Sequence, residues 1–208
     1  PVVIPNVDHR ILDKGMGYLS VRAFNRRTAM ACRDAVTNLK RLGAKKLVFD
    51  LRDNPGGRLD AACDVSDIFL PKRTAIVSTQ SEGKAPLVKR AKKRALWQGP
   101  VLCLINGSTA SGAEIVAGAL REANVALLAG QATFGKDSVQ TVFRLPRDYA
   151  LKLSTTKLIL RGPLDGPFLK PDVLLPEKKD DKREIYGDVE EMDQDPWVKS
   201  AQAMLRFR

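Results

Sequence analysis

Alternating apolar and polar positions in Gly17-Tyr-Leu-Ser-Val-Arg-Ala-Phe24 predict a first β-strand, since successive side chains of a strand point to opposite faces. Met30, Cys32, Val36, Leu39 and Leu42 then recur at helical spacing and stop at Gly43, which predicts an amphipathic helix. Lys46 to Leu51 reads as a buried strand running into the turn Asp53-Asn-Pro-Gly-Gly57. A helix with Leu59, Ala62, Cys63, Ser66 and Phe69 on one face follows and ends before Pro71. Thr74 to Thr79 reads as a strand, the basic stretch Lys84 to Trp97 as a helix or mobile loop, and Val101 to Ile105 as a further buried strand turning through Asn106-Gly107. Ser111 to Leu120 is a helix rich in small residues. Val125 to Leu128, Ser138 to Leu145 and Tyr149 to Leu160 are strands, the last two joined by a turn at Pro146, Arg147 and Asp148. Strand and helix alternate early and strands dominate later, so the expected class is α/β, with crossover helices that let neighbouring strands run parallel. Glu177 to Glu184 reads as a charged linker, and Asp195 to Leu205 as a short amphipathic helix packing back through Trp197 and Leu205.

With 208 residues, 44% apolar and 28% charged, the chain can bury one sizeable core, which excludes disordered and fibrous classes. No apolar run approaches the ~18 residues of a membrane span. The net charge of +11 invites a nucleic-acid reading, but six cations fall between Lys84 and Arg94 while Asp188 to Asp195 is acidic. At 6% aromatic content there are too few rings for a base-stacking platform, so no nucleic acid is expected. A solvated face or an acidic partner at Lys84 to Arg94 fits the distribution better. Cys32, Cys63 and Cys103 lie in apolar patterns without metal-ligand spacing, and His9 is the single histidine, so neither a metal site nor a disulfide framework is expected.

Two Gly-punctuated segments follow buried strands, where α/β sheets place their ligands. The Gly56-Gly57 pair allows positive φ and can expose backbone N–H groups as an anion nest, or it is a conformational device in an ordinary turn. In Asn106-Gly-Ser-Thr-Ala-Ser-Gly-Ala-Glu114, Ser111 is either an exposed nucleophile at a helix entrance or an N-cap answered by Glu114 three residues on. With His9 far from both segments in sequence, a Ser-His-Asp triad is not expected and lysine is the remaining base. Lys136, in Thr133-Phe-Gly-Lys-Asp-Ser-Val-Gln140, is a candidate, with Gln140 able to fix its rotamer without adding charge; alone, Lys136 reads equally as a surface turn lysine.

Taken together, Gly17-Tyr-Leu, Phe49-Asp-Leu-Arg-Asp-Asn-Pro-Gly-Gly57, Leu59 to Pro71, Asn106 to Leu120, Thr133 to Gln140 and Pro171-Asp-Val173 resemble the C-terminal processing peptidases, or tail-specific proteases, over most of the chain. That family's spacing puts the nucleophile three residues before the helix glutamate and 25 before the lysine, which selects Ser111 against Ser108. The resemblance implies a ClpP/crotonase-like layered core, Ser111 as nucleophile, Lys136 as general base and Gln140 as its orienting group. It implies oxyanion donors from the N–H groups of Gly112 and of Gly56 or Gly57, with Gly57 preferred, and no metal or organic cofactor. Arg52 and Asp53 are expected to brace the turn.

The implied substrates are protein or peptide C-terminal tails, and the implied location is extracytoplasmic, in a periplasm, cell envelope or thylakoid lumen. Asp137 stands where the family has glycine and is expected to hold Lys136 protonated; the stretch after Leu160 lacks the family's Gly-rich turn. Residues 1–16 read as the lead-in from a PDZ domain that has been removed, 17–176 as the peptidase core, and 177–208 as linker and helix. A non-catalytic ligand- or peptide-binding module on the same fold is the alternative, and the oligomeric state is open.

Overall fold

The computed structural model describes residues 5–13, 15–159, 168–176 and 194–207. Its elements are β1 (Val7–Ile11), β2 (Met16–Val21), α1 (Thr28–Arg41), β3 (Lys46–Asp50), α2 (Leu59–Ser66), β4 (Ala75–Gln80), β5 (Leu87–Arg90), β6 (Val101–Ile105), α3 (Gly112–Glu122), β7 (Ala126–Gly130), β8 (Ser138–Arg144), β9 (Ala150–Ile159), β10 (Val173–Leu174) and α4 (Pro196–Arg206). Six strands form one sheet in the order β1-β2-β3-β6-β7-β10, and four form a second in the order β5-β4-β9-β8. The β1–β2 pair is antiparallel and the remaining neighbours of the first sheet are parallel, whereas the second sheet is antiparallel throughout.

The period of two along the central strands divides the molecule into layers. Leu47, Phe49, Val101, Cys103 and Ile105 face α1, α2 and α3 in the larger core, where the Phe49 and Phe69 rings stack at 5.2 Å. Val48, Leu102 and Leu104 face the other way and bury Trp197, Val198, Ala201 and Leu205 of α4 in a second, smaller core. Strands covered on both faces read as unbroken apolar runs, which is why β3 and β6 stand out in the sequence. Helix α1 stops at Gly43, whose φ of 88° carries the reversal, with Ala44 N–H closing back on Leu39 O at 2.9 Å.

Three expectations change. The Lys84 to Trp97 stretch contains strand β5, paired with β4, and the rest is pinned in place: Asp67 Oδ1 accepts from Lys92 N–H at 2.6 Å and Lys93 N–H at 3.0 Å, and Ile68 O accepts from Leu96 and Trp97. The first predicted strand ends at Val21, and Phe24 forms an isolated parallel bridge with Gly57. Val7–Ile11, in the lead-in segment, is the edge strand of the large sheet. The charged linker at 177–184 and the turn after Leu160 lie outside the described residues. Among those described, no helix is long and apolar enough to cross a membrane.

Candidate active site

The turns after β3 and β6 lie side by side because their strands pair in parallel register, and a mesh of short-range bonds ties them together. Thr109 Oγ1 donates to Leu51 O at 2.9 Å, Ala110 N–H to Asn54 O at 2.9 Å, and Asp53 and Asn106 exchange two bonds at 3.0 and 2.7 Å. Asn54 is fully buried. Its Nδ2 donates to Val21 O at 2.8 Å and its Oδ1 accepts from Gly56 N–H at 2.8 Å, so it joins β2 to the Gly-Gly turn.

That last bond engages the Gly56 donor, leaving Gly57 as the candidate. In the parallel bridge, Phe24 N–H donates to Gly56 O at 2.8 Å and Arg58 N–H to Phe24 O at 2.9 Å, which turns the Gly57 N–H, between them, away from Phe24. Neither Gly57 N–H nor Gly112 N–H donates to another described residue. Both glycines are dictated by space: Gly57 has φ 138° and a Cβ there would sit 2.2 Å from Phe24 O, while a Cβ on Gly56 would meet Gly112 N at 2.7 Å. The Gly-Gly turn therefore packs directly on the backbone that follows Ser111.

Ser111 occupies the N-cap of α3 with φ 52° and ψ −114°, a conformation that costs a non-glycine residue about 1–3 kcal/mol and persists only where the surroundings enforce it. Glu114, at N3 and with 0% of its surface exposed, enforces it. Its Oε2 accepts from Ser111 N–H at 2.7 Å and Lys136 N–H at 3.0 Å; its Oε1 accepts from Thr133 Oγ1 at 2.6 Å and Gly135 N–H at 2.7 Å. Phe134 N–H adds a bond to Thr109 O at 2.9 Å, and Thr133 exchanges bonds with Leu169. Ser111 and Lys136, 25 residues apart in sequence, are thus held backbone to backbone by one buried carboxylate.

Both residues are half-buried, whereas Gln140 is exposed on β8 beside a bulge between Val139 and Gln140. No hydrogen bond joins the Lys136 amine to the Ser111 hydroxyl or to Gln140. Asp137 presents its carboxylate to Lys157 Nζ at 4.0 Å, with both side chains about half or more exposed. Among the described residues, no group of three or more His, Cys, Asp or Glu is placed to hold a metal ion.

Arg52 braces the turn from behind, as expected, but through an unexpected partner. Its guanidinium is buried against Asp50, with Nε at 2.9 Å from Oδ1, and reaches Asp195 Oδ2 at 3.1 Å and the Trp197 ring at 5.4 Å. Tyr18 Oη donates to Asp50 Oδ2 at 2.8 Å, and burial followed by the Asp50 charge pushes its phenol well above the usual tyrosine range. Asp195 also caps α4, accepting from Trp197 N–H at 2.8 Å. The sequence reading missed the tertiary role of Glu114, of which only the local S-x-x-E cap is visible, and the anchoring roles of Asn54 and Phe24.

The profile of peptidase family S41 matches residues 15–173. The chain is 31% identical over 199 residues to the carboxy-terminal processing protease CtpA of Bacillus subtilis (96% of this chain, 42% of the relative), and 36% identical over 189 residues to a carboxy-terminal-processing protease of Bartonella bacilliformis (85% and 43%). It therefore spans less than half the length of either relative. Among solved structures it superposes on the photosystem II D1 C-terminal processing protease with a TM-score of 0.71 at 26% identity, covering 84% of this chain and 49% of the other. With the family profile matched from β2 into β10, across residues 15–173, the chain belongs to peptidase family S41.

Proposed function

We propose that this chain is the core of a serine endopeptidase that cleaves protein C-terminal tails through an acyl-enzyme. The observation that carries the reading is the shared Glu114 oxygen, which brings the Ser111 and Lys136 backbones within reach of a lysine stem. Lys136 takes the Ser111 proton as the hydroxyl oxygen attacks the scissile carbonyl. The Gly57 and Gly112 N–H groups, both uncommitted, receive the developing oxyanion. Lys136 then gives its proton to the leaving amine, and the acyl-enzyme is hydrolysed by water activated by the same amine. Gln140 orients the amine. That step requires Lys136 and Gln140 to swing together from the arrangement described.

The substrate lies extended along a strand edge, where main-chain bonds give affinity and side-chain pockets give selectivity. We place its action outside the cytoplasm; one relative, 33% identical over 165 residues, is a peptidase of Arabidopsis thaliana named as chloroplastic. A fluorophosphonate probe and a β-casein digest, each run with the protein and with Ser111→Ala, test the reading. Labelling and turnover that vanish together in the variant support it; equal turnover in both defeats it.

A further inference from the structure

We propose that a second binding site, at the pole of the sheet opposite Ser111, takes an acidic peptide segment. The first observation is a cleft of about 640 Å³ beside the loops that lead into β6 and β7, walled by Pro71 and Pro100 with Phe69 and Trp97 beneath. That volume lies within the range of roughly 300–1,000 Å³ found for small-ligand pockets. The cleft adjoins Asn124 at the far end of α3, whose eleven residues separate it from Ser111 by about 16 Å. It is therefore distinct from the proposed catalytic cleft.

The second observation is charge. Lys72 and Arg94 stand on the rim, with Arg73 and Lys93 beside them in sequence. None of the four forms an ion pair among the described residues, and Arg90, on β5, donates to Arg73 O at 3.2 Å. The one carboxylate that holds this segment, Asp67, is 5% exposed, accepts backbone N–H groups and pairs with Arg33 at 3.6 Å. Cations gathered on one rim repel one another, and an anionic partner removes that cost.

The third observation is rigidity. Arg73 N–H bonds Ala91 O and Ala91 N–H bonds Thr74 O, both at 2.8 Å, while Trp97 Nε1 bonds Gly99 O at 2.8 Å. The cations are thus mounted on a fixed frame, so little ordering entropy opposes binding.

Peptide fits this surface better than nucleic acid. Phe69 and Trp97 are only 1% and 2% exposed, so no ring face is offered for base stacking, and the concavity admits a side chain rather than a duplex groove. The bound segment sets carboxylates on Lys72 and Arg94 and one apolar side chain between Pro71 and Pro100.

The test uses the full chain carrying Ser111→Ala, so that turnover cannot intrude and failure of the catalytic reading leaves the measurement intact. Fluorescence anisotropy follows a fluorescein-labelled nonapeptide of glutamates with one central leucine, at 50 and 300 mM salt, in the presence and absence of a single-stranded DNA oligomer. Saturable binding that weakens with salt, and weakens at least tenfold in Lys72→Glu/Arg94→Glu with an unchanged melting temperature, supports the site. Lys152→Glu, the same charge reversal on β9 outside the cleft, should leave affinity unchanged. Equal affinity in the charge-reversed chain, no binding at 50 mM salt, or displacement by DNA at lower concentration than by unlabelled peptide overturns it.

Discussion

The backbone N–H groups of Ser111 and Lys136 end on the same oxygen, Glu114 Oε2, at 2.7 and 3.0 Å. Because Oε1 also accepts two bonds, Glu114→Ala orphans four donors around a carboxylate that is itself 0% exposed. The expected loss is about 3–5 kcal/mol, read as a fall in melting temperature of at least about 6 °C. Glu114→Gln keeps the shape but turns an NH₂ toward two of those donors, so it should fall between the two and lower kcat more than it raises KM. A Gln variant as stable and active as the parent would show that the carboxylate is a cap and nothing more.

If serine and lysine act as one unit, their losses are not additive. Ser111→Ala and Lys136→Ala should each reduce peptide turnover at least about a thousandfold, and the double variant should be no worse than either. Gln140→Ala should cost less than Lys136→Ala, because it removes an orienting contact and leaves the amine. Steady-state kinetics on a fluorogenic peptide measure all four chains.

The two kinds of glycine separate by calorimetry. Gly57→Ala drives a methyl into Phe24 O at a position with φ 138°, and should cost more than about 2 kcal/mol. Gly43→Ala meets nothing within 4 Å and carries only the strain of φ 88°, about 1 kcal/mol. Reversal of that order would mean that the bridge to Phe24 yields easily.

Burial pushes the Cys32 thiol up to about 12 and Cys63 to about 11, from 9.0, and raises Cys103 as well. A raised folded pKa means that the unfolded chain releases its protons first, so stability is whole below about pH 9 and falls as pH rises through about 11 and 12. Tyr18, raised above 10.0, acts in the same direction further up. Urea midpoints should drop between pH 8 and pH 10.5, and drop less in Cys32→Ala. At pH 8 an aromatic disulfide reagent should label the folded protein slowly, at Cys63 before the other two, and should label three thiols at once in guanidinium.

Arg52 is the hinge pin between the Gly-Gly turn and α4. Arg52→Met takes the guanidinium away from the buried Asp50 carboxylate, which keeps its bond from Tyr18, and should cost about 3–5 kcal/mol. Asp195→Asn retains an acceptor for the α4 cap and weakens the charged contact with Arg52, about 1 kcal/mol. Chemical denaturation of both variants checks the ratio.

What the sequence made legible follows from where each signal is stored. Strands β3 and β6 and helices α1 and α3 were readable because burial writes an apolar pattern into the residues themselves. Val7–Ile11 and Leu87–Arg90 were not: both lie at sheet edges, are half-buried or exposed, and are held by backbone pairing that leaves no side-chain period. At the site, the spacing of Ser111, Glu114 and Lys136 was visible, and so was the Gly-Gly turn. The convergence of residues 111, 135 and 136 on one carboxylate was not, because it joins segments more than twenty residues apart through backbone groups that every residue possesses. The same holds for Arg52 and Asp195.

The bulge between Val139 and Gln140 sets the phase of the whole β8–β9 ribbon. Beyond it, Thr141, Phe143, Leu151 and Leu153 share one face, and Gln140, Val142, Ala150 and Lys152 the other. The extra residue is Thr155 on β9; deleting it would exchange the faces on one side of the bulge, whereas lengthening the loop at Arg147 and Asp148 would leave the frame intact. Tolerance to insertions and deletions should therefore change abruptly along a few residues of one hairpin.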